Sequence, residues 1–148
     1  MIGTLTKGQC KRILIAGMVG RIGCHSSGKT YVIPITYVFD GGYIYAHSKE
    51  GLKVNMMRQN TDVCFQVDDI DNLSNWRSVI VWGKFEELKT NEEQEPALEI
   101  LVNGLQAFHT GDSVKPPKNT GEMTPHREKK PVIYRISIDE MSGRYEKQ

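Results

Sequence analysis

The spacing of apolar positions changes several times along this chain, and each change marks a predicted element. From Thr6 to Ala16, Cys10, Ile13 and Leu14 fall at helical spacing, which predicts a short N-terminal helix. From Met18 to Cys24 the pattern is extended, and Ser26-Ser-Gly-Lys29 has turn chemistry between two strands. Thr30 to Phe39 is a long β-branched and aromatic run. Pro34 inside it points to an edge, a bulge or a place where a ligand meets the backbone, because proline cannot donate to a ladder. Asp40-Gly-Gly42 predicts a hairpin turn, with Tyr43 to Ala46 as the returning strand.

Leu52 to Gln59 reads as a short helix, with Leu52 and Met56 one turn apart, and Asp62 to Val67 as a strand. In the strand from Arg77 to Phe85, Val79, Val81 and Phe85 share one face, while Ile80 and Trp82 share the other. Both faces look covered, as in a barrel wall that also meets a partner. Thr90 and Glu93 have capping-box spacing ahead of an amphipathic stripe of Ala97, Leu98, Leu101, Val102, Leu105 and Phe108. Pro96 suggests that the regular helix begins nearer Glu95. A Pro-, Gly- and Lys-rich stretch follows, with a long loop over 113–130, before Val132 to Ile138 alternates again and closes the sheet. The expected architecture is mainly β with peripheral α: a six-stranded antiparallel split β-barrel with short flanking helices, in one domain spanning 1–148.

Composition narrows the class without naming a function. The 148 residues are 39% hydrophobic and 25% charged, ordinary values for a single globular domain. The formal charge of +1, from 19 basic and 18 acidic residues, offers no field for nucleic acid or an anionic membrane. No apolar run reaches the roughly 20 residues of a spanning helix, and the N-terminus lacks signal-peptide character, so a cytoplasmic location is expected. Cys10, Cys24 and Cys64 are widely spaced and include no C-x-x-C. Neither a disulfide framework nor a zinc site is suggested, and His25, His109 and His126 share no metal-ligand spacing.

Two segments could address a phosphate. Tyr43-Ile-Tyr-Ala-His-Ser-Lys-Glu-Gly-Leu-Lys53 reads as a strand ending at His47 and Ser48 that turns directly into a helix. A hydroxyl, a glycine and two lysines thus meet the unpartnered amides of a helix N-terminus, a natural anion site. A capped surface helix would have the same sequence. Gly23-Cys-His-Ser-Ser-Gly-Lys-Thr30 fits the P-loop pattern letter for letter. That motif needs a helix starting at its Lys-Thr, whereas strand composition with a proline follows here, so a hairpin is the better reading.

Val19-Gly-Arg-Ile-Gly23, Tyr31-Val-Ile-Pro-Ile-Thr-Tyr37, Tyr43 to Ser48 with Gly51 and Lys53, Val63-Cys-Phe65, Trp76-Arg-Ser-Val-Ile-Val-Trp-Gly83 and Met141-Ser-Gly-Arg144 form an ordered set. Together they resemble the FMN-binding split-barrel superfamily, the pyridoxamine 5′-phosphate oxidase-like proteins, and within it the nitroimidazole-resistance-like branch. The resemblance implies a homodimer with FMN in clefts at the subunit interface. It assigns the FMN phosphate to Ser48 and Lys53, with Lys49 or Arg77 assisting. Ile35, Thr36 and Tyr37 would run beside the isoalloxazine, their backbone amides addressing its polar edge. Trp76, Arg77 and Ser78 would line the phosphate and ribityl side, Arg144 would lie near the cofactor, and His47 would point at flavin, haem or substrate. The Arg-x-Leu-x-Pro-like substrate element of true pyridoxamine phosphate oxidases is missing from the C-terminal sequence.

The implied function is an FMN-dependent oxidoreductase that reduces a small organic acceptor, such as a nitro compound or quinone, with NAD(P)H or another donor. Flavin would supply the redox chemistry, since no paired carboxylates, Ser-His-Asp order or activated cysteine stands out. Two alternatives remain: a haem-binding or haem-handling barrel using His47 or His109, and a flavin-binding module without turnover.

Overall fold

A computed structural model describes residues 1–106 and 131–148 of the chain. The elements run β1 (Ile2–Thr4), α1 (Lys7–Ala16), β2 (Val19–Ser26), β3 (Lys29–Thr36), β4 (Val38–Asp40), β5 (Tyr43–Ser48), α2 (Leu52–Gln59), β6 (Asp62–Asn72), β7 (Asn75–Leu88), α3 (Asn91–Gln106) and β8 (Val132–Glu146). Phe108, His109, His126 and the 113–130 loop lie outside the described residues. Among the described residues no helix is long and apolar enough to cross a membrane.

The sheet is antiparallel, in the order β3-β2-β6-β7-β8-β5-β4, with β1 added to β8. Its two ends are β3 and β4, which a single residue, Tyr37, joins in the chain. One long extended stretch therefore pairs with β2 through its first half and with β5 through its second, and the barrel is split where it bends. Tyr37 makes the bend. Its side chain is buried, its hydroxyl donates to the Leu14 carbonyl at 2.8 Å, and its ring meets Phe65 edge-on at 4.8 Å. Its amide donates to the Met18 carbonyl at 3.0 Å, so no backbone donor is lost.

Eight strands stand where six were expected among these residues. The Thr30–Phe39 run divides at Tyr37, and β1 is too short to carry a pattern. β6, β7 and β8 all extend beyond their apolar cores. β6 and β7 continue into the Asn72–Asn75 turn, and β8 continues through Asp139 to Glu146 along β7 and β1. Those outer stretches have exposed positions on one or both faces, so they carry little hydrophobic alternation for a sequence reading to detect.

The segment with the P-loop lettering is the β2–β3 hairpin. Ser27 and Gly28 take φ values of 52° and 75°, the paired positive values of a type I′ turn. The Thr90 capping box is present, with Glu93 N–H to Thr90 Oγ1 at 3.2 Å, and the helix begins at Asn91 rather than near Glu95. Pro96 is accommodated inside α3, where it removes one early intrahelical bond.

Core side chains alternate along the strands: Ile22 and Cys24, Phe65 and Val67, Val79 and Val81 all point inward. α1 contributes Cys10 and Leu14, and α2 contributes Val54, Met56 and Met57. A second cluster outside the barrel packs α3, through Ala97 and Leu101, on Tyr45, Leu88 and Ile133. The opposite outer wall is barely covered. Val32 is 62% exposed and Trp82 40%, with half-buried Cys64 between their strands.

The β7–β8 ladder shifts register at Trp82/Gly83. A Cβ on Gly83 would sit 1.6 Å from the Ser137 carbonyl oxygen, so glycine is what lets the strands close there. Gly83→Ala is expected to cost about 2–3 kcal/mol, within the range for overpacking a rigid site, seen as a lowered denaturant midpoint.

Candidate functional site

β5 ends at Ser48, which pairs with Val132, and α2 begins four residues later at Leu52. Gly51 is the N-cap residue in extended backbone, and no side chain caps the helix. Ser48 Oγ donates instead to the Lys49 carbonyl at 3.1 Å. The capped-helix reading therefore does not apply, and the first amides of α2 lack both an intrahelical partner and a side-chain cap. The first turn carries no acidic residue; it carries Lys53.

That placement is unfavourable twice over. A cation at a helix N-terminus opposes the dipole, and Lys53 is half-buried. Desolvation pushes its pKa below the ordinary lysine value, with the Cys24 thiol beneath it pulling the other way. Among the described residues no carboxylate forms an ion pair with it. His47, at the strand end, is pushed down by desolvation and then by the Lys53 charge, so its neutral form is favoured. By surface area His47 is exposed, at the mouth of this corner.

Arg58 shapes this corner, and no sequence signal identified it. It bonds Glu50 through two nitrogens at 2.8 Å and Glu87 at 2.7 and 2.9 Å, tying the loop before α2 to β7. The Arg58 charge, shared with Glu87, offsets part of the negative charge that Glu50 would otherwise present to an anion at the helix start. Glu50 and Arg58 are eight residues apart and Glu87 lies on a distant strand, so no local spacing reveals the cluster.

Of the ring-side candidates, Thr36 is the one that borders this corner. Ile35 and Tyr37 are buried core side chains, and the Tyr37 amide is taken by Met18. The amide of Ile35 faces Gly20 in the β2 ladder. Counting alternate pairs from the two-residue turn, Thr30, Val32, Pro34 and Thr36 turn their backbone groups to the open edge. Pro34, which has no N–H to offer, thus occupies an edge position. The β4–β5 ladder stops at Val38↔Tyr45, and β3 still touches β5 beyond it, so Thr36 borders the split. The structure therefore brings together His47, Ser48 and Lys53, with Lys49 in the same loop and Thr36 at the neighbouring split.

Trp76, Arg77, Ser78 and Arg144 form a separate group. Ser78 pairs with Arg144 and Trp76 with Glu146 at the far end of β8. Trp76 Nε1 donates to Glu146 Oε1 at 3.2 Å, Arg77 pairs with Asp69, and Ser78 Oγ accepts from Gln66 Nε2 at 2.9 Å. Val132 and Arg144, opposite Ser48 and Ser78 respectively, are twelve positions apart on β8. At the rise of a strand this is roughly 40 Å of backbone contour. Arg77 accordingly belongs with Trp76 and Arg144, along a stretch of the β7–β8 ladder away from Ser48. Three clefts are well formed, and none of the three is lined by Ser48 or Lys53.

A split barrel with a cationic, uncapped helix start beside its opening defines a class, and comparison supplies the family. The chain belongs to the pyridoxamine 5′-phosphate oxidase family, whose model matches residues 6–145. It is similar to an uncharacterized protein of Rhizobium meliloti, 26% identical over 147 residues that cover 97% of this chain and 94% of the relative. The crystal structure of an FAD-binding protein from Mesorhizobium loti superposes with a TM-score of 0.75 at 28% identity, covering 100% of this chain and 98% of that one. An FAD-binding protein from Mycobacterium smegmatis shares the fold at a TM-score of 0.67 and 19% identity, covering 96% and 98%.

Arg58→Met should free Glu50 at the helix start. The expected loss is about 1 kcal/mol of stability, because the pairs are partly exposed, and it is measured by denaturant unfolding.

Proposed function

We propose that this protein binds FMN at the split of the barrel and uses it as an oxidoreductase toward a small organic acceptor. The observation that carries this reading is Lys53, a half-buried cation without an ion-pair partner among the described residues, on an uncapped helix start. Both penalties turn into binding energy when a phosphate arrives, since helix amides and a lysine are the donors a phosphate needs. Ser48 would add a hydroxyl and Lys49 a further charge. Family membership and the FAD-binding relative from Mesorhizobium loti support a flavin as the bearer of that phosphate.

Flavin when bound supplies the hydride and electron chemistry, and this chain's residues bind, orient and exclude water. The open backbone edge at Thr36 offers hydrogen bonds to a planar heterocycle beside the phosphate corner. His47, held toward its neutral form, can accept or donate there without adding charge. The electron donor in this reading is NAD(P)H or another small reductant.

A second copy of the chain completes the site in this reading. One flavin cannot reach both the Ser48–Lys53 corner and the Trp76–Arg144 group along roughly 40 Å of the same strand. A two-fold dimer removes the difficulty, because the second group can then come from the partner. The exposed apolar wall of Val32, Cys64 and Trp82 is the surface such a dimer would bury.

Titration of the purified protein with FMN, followed near 450 nm, tests the cofactor, and a protein that takes up no flavin would refute the proposal. Lys53→Ala is expected to weaken FMN binding by about 1.5–3 kcal/mol, roughly ten- to a hundredfold, with the far-ultraviolet circular dichroism unchanged. The dimer is tested by complementation. Lys53→Ala chains mixed equally with Trp76→Ala/Arg77→Ala chains should recover about a quarter of native flavin sites, because half the dimers are mixed and each restores one site of two. No recovery after demonstrated subunit exchange would place both groups in separate functions.

A further inference from the structure

A cleft of about 650 Å³ opens between α1 and the β6–β7 hairpin, lined by Leu5, Gln9, Arg12, Ile13, Ala16, Gly17, Asp68, Asp69 and Arg77. Its volume is that of a small-molecule site. We infer that it binds a small organic anion with an apolar body, such as an aromatic carboxylate, held by Arg12 and Gln9.

Most charged groups of the lining are already engaged. Asp69 is paired with Arg77, and Asp68 accepts from Gln66 Nε2 at 3.0 Å and lies 4.0 Å from Arg21. Both carboxylates therefore have their partners. Arg12 has no ion pair or hydrogen bond among the described residues. The Gln9 side-chain oxygen accepts from the Thr6 amide at 2.8 Å, which leaves its amide nitrogen unengaged. Within the lining, Arg12 and Arg77 balance Asp68 and Asp69 in formal charge; with Asp69 on Arg77 and Asp68 beside Arg21, which lies outside the lining, Arg12 is the cation left without an ion pair among the described residues. The cleft's unengaged side-chain groups at α1 are donors.

The layout along α1 orders the ligand. Gln9, Arg12, Ile13 and Ala16 recur at helical spacing and share one face, which is the cleft wall. Of the donors, Gln9 stands in the first turn and Arg12 mid-helix, while the apolar positions run toward its C-terminal end. The helix carbonyls near Ala16 disfavour an anion there, so the charged end belongs at Arg12 and the apolar body at Ile13 and Ala16. Arg77 borders the cleft and also belongs to the Trp76–Arg144 group. If the flavin reading above holds, on which this last step rests, the bound anion lies beside the flavin and the cleft is where the acceptor enters.

Calorimetric titration of the purified full-length protein with benzoate, benzamide and benzylammonium tests the site. Benzoate should bind roughly tenfold or more tightly than the other two, the ratio expected from one charge-assisted contact. Arg12→Met should abolish that preference, while Lys53→Ala should leave it intact. Absence of benzoate binding, equal binding of the three probes, or a preference that survives Arg12→Met overturns the inference. So does a preference lost in Lys53→Ala, which would place the anion at the helix start. FMN titration of the same samples separates the two readings. Benzoate binding without flavin uptake would remove the flavin and keep the cleft, and the opposite result would do the reverse.

Discussion

The bend at Tyr37 is the constraint on which the rest of this molecule depends. A tyrosine placed in the core by its ring cannot remain in register with both neighbouring strands, so the chain turns there and pairs with β2 before it and β5 after it. Three contacts hold the bend: the hydroxyl on the Leu14 carbonyl, the ring edge on Phe65 and the amide on Met18. Each is satisfied without water, which makes the bend a fixed feature of the native state. The split it creates leaves the open edge at Thr36 next to β5. A barrel closed by hydrogen bonds at this position would leave no backbone groups to offer a ligand.

Next to that split the chain accepts electrostatic strain. Most helices place an acid or a capping hydroxyl at their first turn, and α2 has neither. Arg58 holds both the nearby Glu50 carboxylate and Glu87, and the first turn itself carries a lysine and uncapped amides. Such an arrangement lowers the stability of the free protein, and the proposed phosphate would relieve it. The cleft beside α1 follows similar logic at smaller scale, with carboxylates matched to arginines and Arg12 left over.

Much of the fold was legible in the sequence. The helix at 52–59, the hairpins at Ser27-Gly28 and Gly41-Gly42 and the Thr90 capping box all follow from local chemistry, and each is present. The P-loop lettering was correctly set aside because its flanks are strand. What escaped were features without a local signature. β1 is three residues long, β8 continues through polar residues because β7 supports it, and α3 starts at Asn91 despite Pro96 because its cap is formed. Among the site residues, Ser48 and Lys53 were legible from a strand-to-helix junction. The sequence could not show that Ile35 and Tyr37 are occupied in the core, or that Arg58 pairs with both Glu50 and Glu87.

By itself the sequence determined the class of the molecule and the chemical character of its anion-facing corner. Alternation, turn residues and the order of hydroxyl, glycine and lysine act over a few residues and need no distant partner. Tertiary structure alone decided which of those residues can act together. Ser48 and Arg144 both flank β8, yet the length of that strand separates them, so spacing in the sequence carried no information about it. Only the sheet order and register, set by packing across the whole barrel, divide the candidate residues into two groups.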